Sequence, residues 1–335
     1  MTRTRVLVAA PSWVGDLVMA CTLFKLLKTQ SPEAPIDVLA PAWALPLAAR
    51  MAEIDTAIEL PAGHGEVALG VRWRLARQLR ERAYSHAYIL PRSAKAALVP
   101  WLARIPRRIG YRGEMRYGLI NRMHRPNPAH ERLVERYAAL AFEPGAPLPE
   151  SLPSPVLTSD PAARRDVLER LHLEPGQRPI ILCPGAEYGP AKRWPIESYA
   201  ALAMQLCDRG RVVWVVGSAR ERALADHIAA AAPEARNLAG ETTLVEAVDV
   251  LAEASAVVCN DSGLMHVAAA LGRPLVALYG SSSPRYTPPA TPDAQIIYHD
   301  LECSPCFARE CPLGHFNCLR GVTPTEVMDA LERLG

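Results

Sequence analysis

Asp261 is the side chain with the most chemistry around it. It lies in Asn260-Asp261-Ser262-Gly263-Leu264-Met265-His266, straight after an apolar run at 256–259. Such a run followed by small polar residues and a second apolar stretch reads as a buried parallel strand, a tight turn and a helix. Asp, Ser and Gly at the helix start leave backbone N–H groups facing outward, and those groups favour an anion such as phosphate. The carboxylate adds an acceptor for hydroxyls. The two together suit a sugar nucleotide better than a bare nucleotide. An ordinary capped helix uses the same residue types, so the segment does not decide the matter by itself.

Two further segments carry charge where a strand ends. Cys183-Pro184-Gly185-Ala186-Glu187-Tyr188-Gly189-Pro190-Ala191-Lys192-Arg193-Trp194-Pro195 follows an apolar run and has no Walker pattern. Its glycines allow close backbone approach, and Lys192 and Arg193 can neutralise phosphate, although a basic surface turn would look alike. Near the N-terminus, Pro11-Ser12-Trp13-Val14-Gly15-Asp16 puts a carboxylate at the end of the first strand. There it can serve as a general base or as a helix N-cap. With Gly15 alone, the loop lacks the G-x-G-x-x-G of a dinucleotide site. Turns at 217–221 and 237–240 are small enough to admit a flat base.

These residues need a scaffold that gathers strand ends. Strands are expected at 5–10, 36–39 and 86–90, with helices at 17–29 and 73–82. The pattern restarts with strands at 179–183, 211–216, 256–259 and 274–279 and helices at 196–209, 220–231, 244–253 and 264–271. This alternation is the mark of parallel α/β sheets. Six prolines between Glu143 and Pro161 suit a linker. The expectation is therefore two Rossmann-like doubly wound domains, 1–150 and 151–335, facing across a cleft, with the last helix able to pack back on the first domain.

At 335 residues and 50% hydrophobic, the chain can bury two cores. No apolar run approaches a membrane span, and the N-terminus lacks the pattern of a secretion signal, so a cytoplasmic protein is expected. The net charge of +2 hides an asymmetry. Residues 71–136 hold sixteen Arg or Lys against four Glu and no Asp, an excess of twelve. That half should face something anionic, with Arg72, Arg77 and Arg80 read as solvated helix positions. Four of the eight cysteines cluster as Cys303-x2-Cys306-x4-Cys311-x6-Cys318, with His315 between. In a reducing compartment this favours a structural zinc site over disulfides, against the equal alternative of four reduced thiols in a loop.

Six blocks occur in order: P-S-W-V-G-D at 11–16, D-V-x-A-P-A-W at 37–43, G-Y-R-G-E-M-R-Y-G at 110–118, P-G-A-E-Y-G-P-A-K-R-W-P at 184–195, N-L-A-G-E-T at 237–242 and N-D-S-G-L-M-H-V-A-A-A-L at 260–271. Together they resemble the ADP-heptose:lipopolysaccharide heptosyltransferases of the heptosyltransferase II type. The resemblance implies a GT-B architecture and inverting transfer of heptose from ADP-heptose to the first heptose of the lipopolysaccharide inner core. The acceptor it implies is heptosyl-Kdo2-lipid A, met peripherally at the cytoplasmic face of the inner membrane. By position it implies Asp16 as catalytic base and Lys192 as partner of the donor diphosphate. Asp261 falls near the donor heptose hydroxyls, and Ser262, Gly263, Leu264 and Met265 at the phosphate-cradling helix start. His266 assists there or simply packs, and Glu221 holds the ribose. Arg92, Lys95, Arg112 and Arg116 are the acceptor-side cations. No cofactor is expected for catalysis. Another GT-B enzyme, an N-acetylglucosaminyltransferase or an epimerase, is the nearest alternative. A zinc-containing nucleic-acid binder lacks any recognised motif, so nucleic acid is not an expected partner. A nicotinamide-dependent oxidoreductase lacks its glycines.

Overall fold

The computed structural model describes residues 4–63 and 65–334. The chain divides into two compact units, Met1–Pro155 and Val156–Gly335, and the break falls inside the proline-rich stretch.

The first unit holds β1 (Val6–Ala9), β2 (Ile36–Ala40), β3 (Thr56–Glu59), β4 (His86–Ile89), β5 (Arg107–Tyr111) and β6 (Arg122–His124). All pair parallel, in the order β3-β2-β1-β4-β5-β6. The chain therefore starts at the sheet centre, winds out through β2 and β3, and returns to the other side of β1. Val6 pairs with Ile36 on one flank and His86 on the other. The point where the winding reverses lies between β1 and β4, and in such sheets ligands bind beyond the strand carboxyl ends there. β1 and β2 are buried along their whole lengths, as strands covered on both faces require. At the opposite end of the sheet, Asp37 is fully buried among Arg5 Nη2 at 2.8 Å, Arg82 Nη1 at 2.9 Å and the Tyr84 hydroxyl. The acid of the D-V-x-A-P-A-W block is thus an anchor for the amino ends of the strands.

The second unit repeats the plan. It holds β7 (Ile180–Cys183), β8 (Val213–Val215), β9 (Arg236–Asn237), β10 (Ala256–Asn260), β11 (Leu275–Tyr279) and β12 (Ala294–Tyr298), all parallel in the order β12-β11-β10-β7-β8-β9. The reversal falls between β7 and β10, where Cys183 lies opposite Cys259. Ile180, Leu182, Val258 and Val276 share one core with residues of the helices Ile196–Asp208, Arg222–Ala231 and Pro324–Glu332. Trp194 and Tyr199 belong to that core and meet edge-to-face at 4.8 Å. Fully burying side chains of this size contributes roughly 1.5–3 kcal/mol each. The closing helix, Pro324–Glu332, buries Val327, Met328, Ala330 and Leu331 within this same core.

Several elements differ from expectation for local reasons. The helix expected at 17–29 begins earlier, at Val14, and runs as Val14–Met19 and Cys21–Gln30. Extended Trp13 is its N-cap, so Asp16 stands in the first turn rather than at the cap. β5, β6 and β9 open on arginine, and β3 and β12 carry polar side chains at Thr56, Glu59 and Gln295, which disguises an apolar run. Arg72, expected in solvent, is buried and donates from Nε to the Val67 carbonyl at 2.6 Å.

Candidate functional site

In the second unit the chemistry collects at the carboxyl ends of β7 and β10. Asn260, the last residue of β10, is fully buried. Its Nδ2 donates to the Pro184 carbonyl at 2.8 Å and the Gly185 carbonyl at 3.3 Å. Its Oδ1 accepts from the Trp194 backbone N–H at 2.9 Å and the Tyr199 hydroxyl at 3.3 Å. One amide therefore brackets both ends of the loop that follows β7. That loop carries Lys192 at the end of the short turn Pro190–Lys192. Lys192 Nζ reaches Asp261 Oδ2 at 2.5 Å, with the carboxylate side chain 5% exposed and the amine side chain 20%.

The helix Gly263–Ala270 starts beside this pair. Ser262 is its N-cap in extended conformation, and its hydroxyl makes no capping bond. The first-turn N–H groups are thus left without a side-chain cap, the condition in which a helix start binds an anion. Met265 is buried, with its sulfur 3.4 Å from the Tyr279 hydroxyl, and Leu264 is half-buried. What 263–265 offer a ligand is therefore backbone. His266 is buried as well. Burial pushes its imidazole down to about 4, with Asp261 opposing and Lys192 reinforcing the shift, so it is neutral at physiological pH.

Glu221 closes the far side of the same loop. Its Oε2 accepts from the Ser218 N–H at 2.7 Å and the Ser218 hydroxyl at 2.9 Å. A Cβ at Gly185 would stand 1.6 Å from Glu221 Oε1, so the carboxylate reaches that place only because residue 185 is glycine. Arg193 turns inward and donates to the Ala186 carbonyl at 3.2 Å. Among the described residues of this unit, the buried side-chain polar atoms that lack a hydrogen-bond partner are Arg193 Nε, His266 Nδ1, Ser281 Oγ and Ser282 Oγ. All four belong to the Lys192 loop, the Gly263 helix or the segment just after β11. Buried polar groups are normally satisfied, and a cluster of exceptions points to a ligand.

In the first unit, Asp16 is half-buried just beyond the carboxyl end of β1. Its place in the first helical turn suits a carboxylate, because the helix dipole is positive there. Arg92 and Arg112 are exposed and line a cavity of about 470 Å³ with Gly113, Glu114, Met115, Tyr117 and Pro126. Glu114 Oε2 accepts from the Ala94 N–H at 2.8 Å, which ties this loop to the turn Ala94–Ala97 carrying Lys95. Lys95 itself does not line the cavity.

Arg116 corrects an expectation. Grouped in sequence with the acceptor cations, it is 1% exposed. Its Nη1 donates to the Pro91 carbonyl at 2.5 Å and its Nη2 to the Tyr111 carbonyl at 2.6 Å. Burial lowers its guanidinium to about 10, with Arg92 adding to the shift and Glu114 opposing it. The carbonyls it serves lie at the last residue of β5 and in the loop after β4, so it braces the ground on which Arg92 and Arg112 stand.

Comparisons with known proteins give the family. The family model of glycosyltransferase family 9 (heptosyltransferase) matches residues 72–317. Lipopolysaccharide heptosyltransferase 2 of Escherichia coli K12 is 45% identical over 98% of both chains. Lipooligosaccharide heptosyltransferase 2 of Haemophilus influenzae is 48% identical over 98% of this chain and 99% of its own. The solved structure of E. coli ADP-heptose lps heptosyltransferase II superposes with a TM-score of 0.88 at 43% identity, covering 99% of this chain and 98% of that one. The chain belongs to glycosyltransferase family 9, the heptosyltransferases.

This heptosyltransferase-family chain is therefore an enzyme, a glycosyltransferase, and its two parallel six-stranded sheets match a structure of the GT-B type. Some residues at the site escaped the sequence reading. Asn260 stood in a quoted block, but nothing in its spacing reveals a bracket to Pro184 and Trp194. Ser281 and Ser282 had one available signal, a small polar run after the apolar segment 275–279. The cysteine segment also lies near the site. Cys303, Cys306, Cys311, Cys318 and His315 line one narrow cavity together with Ala191 and Ser281. Cys303, Cys306, Cys311 and Cys318 are free thiols, and among the described residues no three His, Cys, Asp or Glu groups stand ready to hold a metal ion.

Proposed function

We propose that this enzyme transfers heptose from ADP-heptose to the first heptose of the lipopolysaccharide inner core, on heptosyl-Kdo2-lipid A, with inversion. In this reading the second unit holds the donor. The diphosphate lies at the start of the Gly263–Ala270 helix and takes Lys192 as its counter-ion. Asp261, released from that lysine, accepts from the heptose hydroxyls, and Glu221 holds the ribose. In the first unit Asp16 takes the proton from the attacking hydroxyl. The new C–O bond forms at the anomeric carbon as the bond to the diphosphate oxygen breaks, and ADP leaves with the electron pair. Charge grows on the leaving diphosphate, so preplaced cations and N–H groups there lower the barrier most. Arg92 and Arg112, with Lys95 close by, offer cations to an anionic acceptor. No step calls for a cofactor.

The observation that carries this reading is the Lys192–Asp261 pair at the second unit's strand reversal, with that unit's partnerless buried polar atoms on the Lys192 loop, the Gly263 helix and the segment after β11. The test is a transfer assay with ADP-heptose and heptosyl-Kdo2-lipid A. Heptose incorporation supports the reading. No incorporation, together with a preference for a uridine nucleotide, would favour another GT-B activity.

Two finer parts belong to the same proposal. No helix among the described residues is long and apolar enough to cross a membrane. Trp101, 46% exposed beside exposed Arg104, is a fitting contact for peripheral binding at the cytoplasmic face of the inner membrane. The shared cavity and spacing of Cys303, Cys306, Cys311 and Cys318 support a structural zinc ion, bound after side-chain rotation. Near-stoichiometric zinc in purified protein supports that assignment, and trace zinc rejects it.

A further inference from the structure

Tyr188 carries two cations on one ring. Lys192 Nζ lies 5.3 Å from its centroid and Arg309 Cζ lies 5.2 Å from it. The ring is fixed, because its hydroxyl donates to the Phe307 carbonyl at 2.9 Å. The backbone seam is close as well. The Arg309 carbonyl accepts from the Ala191 N–H at 3.0 Å, and a Cβ at Gly189 would stand 2.4 Å from that oxygen. Phe307 N–H donates to the Ser281 carbonyl, which ties the segment to the end of β11 as well. The stretch around 307–309 is therefore held to the Lys192 loop by one main-chain bond and the Tyr188 hydroxyl, and Arg309 is presented from it.

The two cations differ in one respect. Lys192 is neutralised by Asp261, whereas Arg309 has no carboxylate within ion-pair reach among the described residues. Its guanidinium is exposed yet held in place by the ring. A stacked guanidinium with its N–H edge unused suits an anion that presents two or more oxygens, since its fork donates to both at once. A neighbouring ammonium and an uncapped helix start favour the same sign of charge.

The geometry points to Arg309 as a second cation for the donor's diphosphate, set by Tyr188 to work with Lys192. The inference rests on the reading of the Lys192–Asp261 corner as the diphosphate site. It adds a residue outside the six blocks through which that site was recognised. Tyr188 is its positioning residue: the ring gives the guanidinium a fixed orientation and also faces the lysine.

The test is binding of ADP, AMP and adenosine to the full-length protein by calorimetry, at low and moderate salt. The proteins compared are the unchanged chain, Arg309→Ala, Arg309→Gln, Arg309→Lys and Lys192→Ala. Arg309→Ala and Arg309→Gln should weaken ADP about tenfold, the loss of one charge-assisted contact, and leave adenosine unchanged. AMP, with one phosphate fewer, should lose less than ADP. Arg309→Lys should fall between, because an ammonium keeps the charge without the fork. The salt dependence of ADP binding should become shallower in Arg309→Gln, which a purely structural role would not produce. The seam uses the Arg309 carbonyl, so these substitutions leave it intact. ADP affinity and salt dependence unchanged in both neutral variants, with Lys192→Ala impaired, would overturn the role of Arg309. If the unchanged protein bound adenosine as well as ADP, the diphosphate site itself would be misplaced, a distinguishable failure.

Discussion

Lys192 and Asp261 form an ion pair at 2.5 Å on the two elements that flank the second unit's strand reversal, with the carboxylate nearly buried. Without donor, each satisfies the other. With donor, both partners have better ones, a diphosphate for the amine and sugar hydroxyls for the acid. Lys192→Ala should therefore do two kinds of damage. It removes transition-state stabilisation, costing about 10²- to 10³-fold in kcat. It also leaves a buried carboxylate alone, costing on the order of 3 kcal/mol of stability in denaturant unfolding. Asp261→Asn should free the amine, so ADP alone should bind as well or better while transfer from ADP-heptose falls. Weaker ADP binding in Asp261→Asn would mean that the acid orients the lysine rather than restraining it.

Asp16→Asn keeps the size of the side chain and its place in the first helical turn, but not its capacity to take a proton. Turnover should drop by about 10² or more, with donor binding nearly unchanged. Single-turnover kinetics and ADP calorimetry on one preparation would check this. Near-normal turnover would remove Asp16 from the role of base.

Asn260→Ala should loosen the Lys192 loop without touching any group that meets substrate. The change strips the Trp194 N–H and the Pro184 carbonyl of their partner inside the core. Leaving such groups unsatisfied costs about 2–4 kcal/mol. Urea unfolding would measure that loss, and a raised donor KM exceeding any change in acceptor KM would show that it reaches the loop.

The double winding was legible because β1, β7 and β11 are apolar throughout and β4 and β10 depart from that only at one end, at His86 and Asn260, and two-face burial in parallel sheets demands such runs. The placing of Asp16, Lys192 and Asp261 beyond strand ends was legible because each follows one of those runs within a distinctive block. What stayed hidden depends on partners far apart in sequence. Nothing in a single residue type separates exposed Arg112 from buried Arg116, four positions along the same loop. Asn260 reads as a helix-start residue until its contacts 66 residues away are seen. Arg309 lies in a segment with no strand or helix, outside every recognised block.

His266 gives a pH signature with a definite sign. Its imidazole titrates near 6.5 when unfolded and is pushed down to about 4 when folded, chiefly by burial. Between those values the unfolded chain binds the proton and the folded one does not. The stability tied to the neutral ring is therefore complete above about 6.5 and lost as pH falls toward 4, at most about 3 kcal/mol. His266→Gln should flatten this part of the stability-versus-pH curve, whatever its offset at neutral pH. An unaltered slope between pH 6.5 and 4 would mean that the ring is protonated in the fold, paired with Asp261.

Arg116 and Arg112 should separate structure from recognition within one basic stretch. Arg116→Met replaces a buried guanidinium by an apolar chain of similar length and leaves the carbonyls of Pro91 and Tyr111 without donors. It should lower stability by about 2–4 kcal/mol. Arg112→Ala is an exposed change at the cavity it shares with Arg92, and should leave stability within about 0.5 kcal/mol. Its effect should appear as a raised KM for the anionic acceptor, with the donor KM unchanged and the salt dependence of acceptor KM reduced. If Arg112→Ala left acceptor KM and its salt dependence untouched, the positive excess of 71–136 would be serving some other anion. If Arg116→Met unfolded at the same denaturant concentration as the unchanged chain, the brace assigned to it would be wrong.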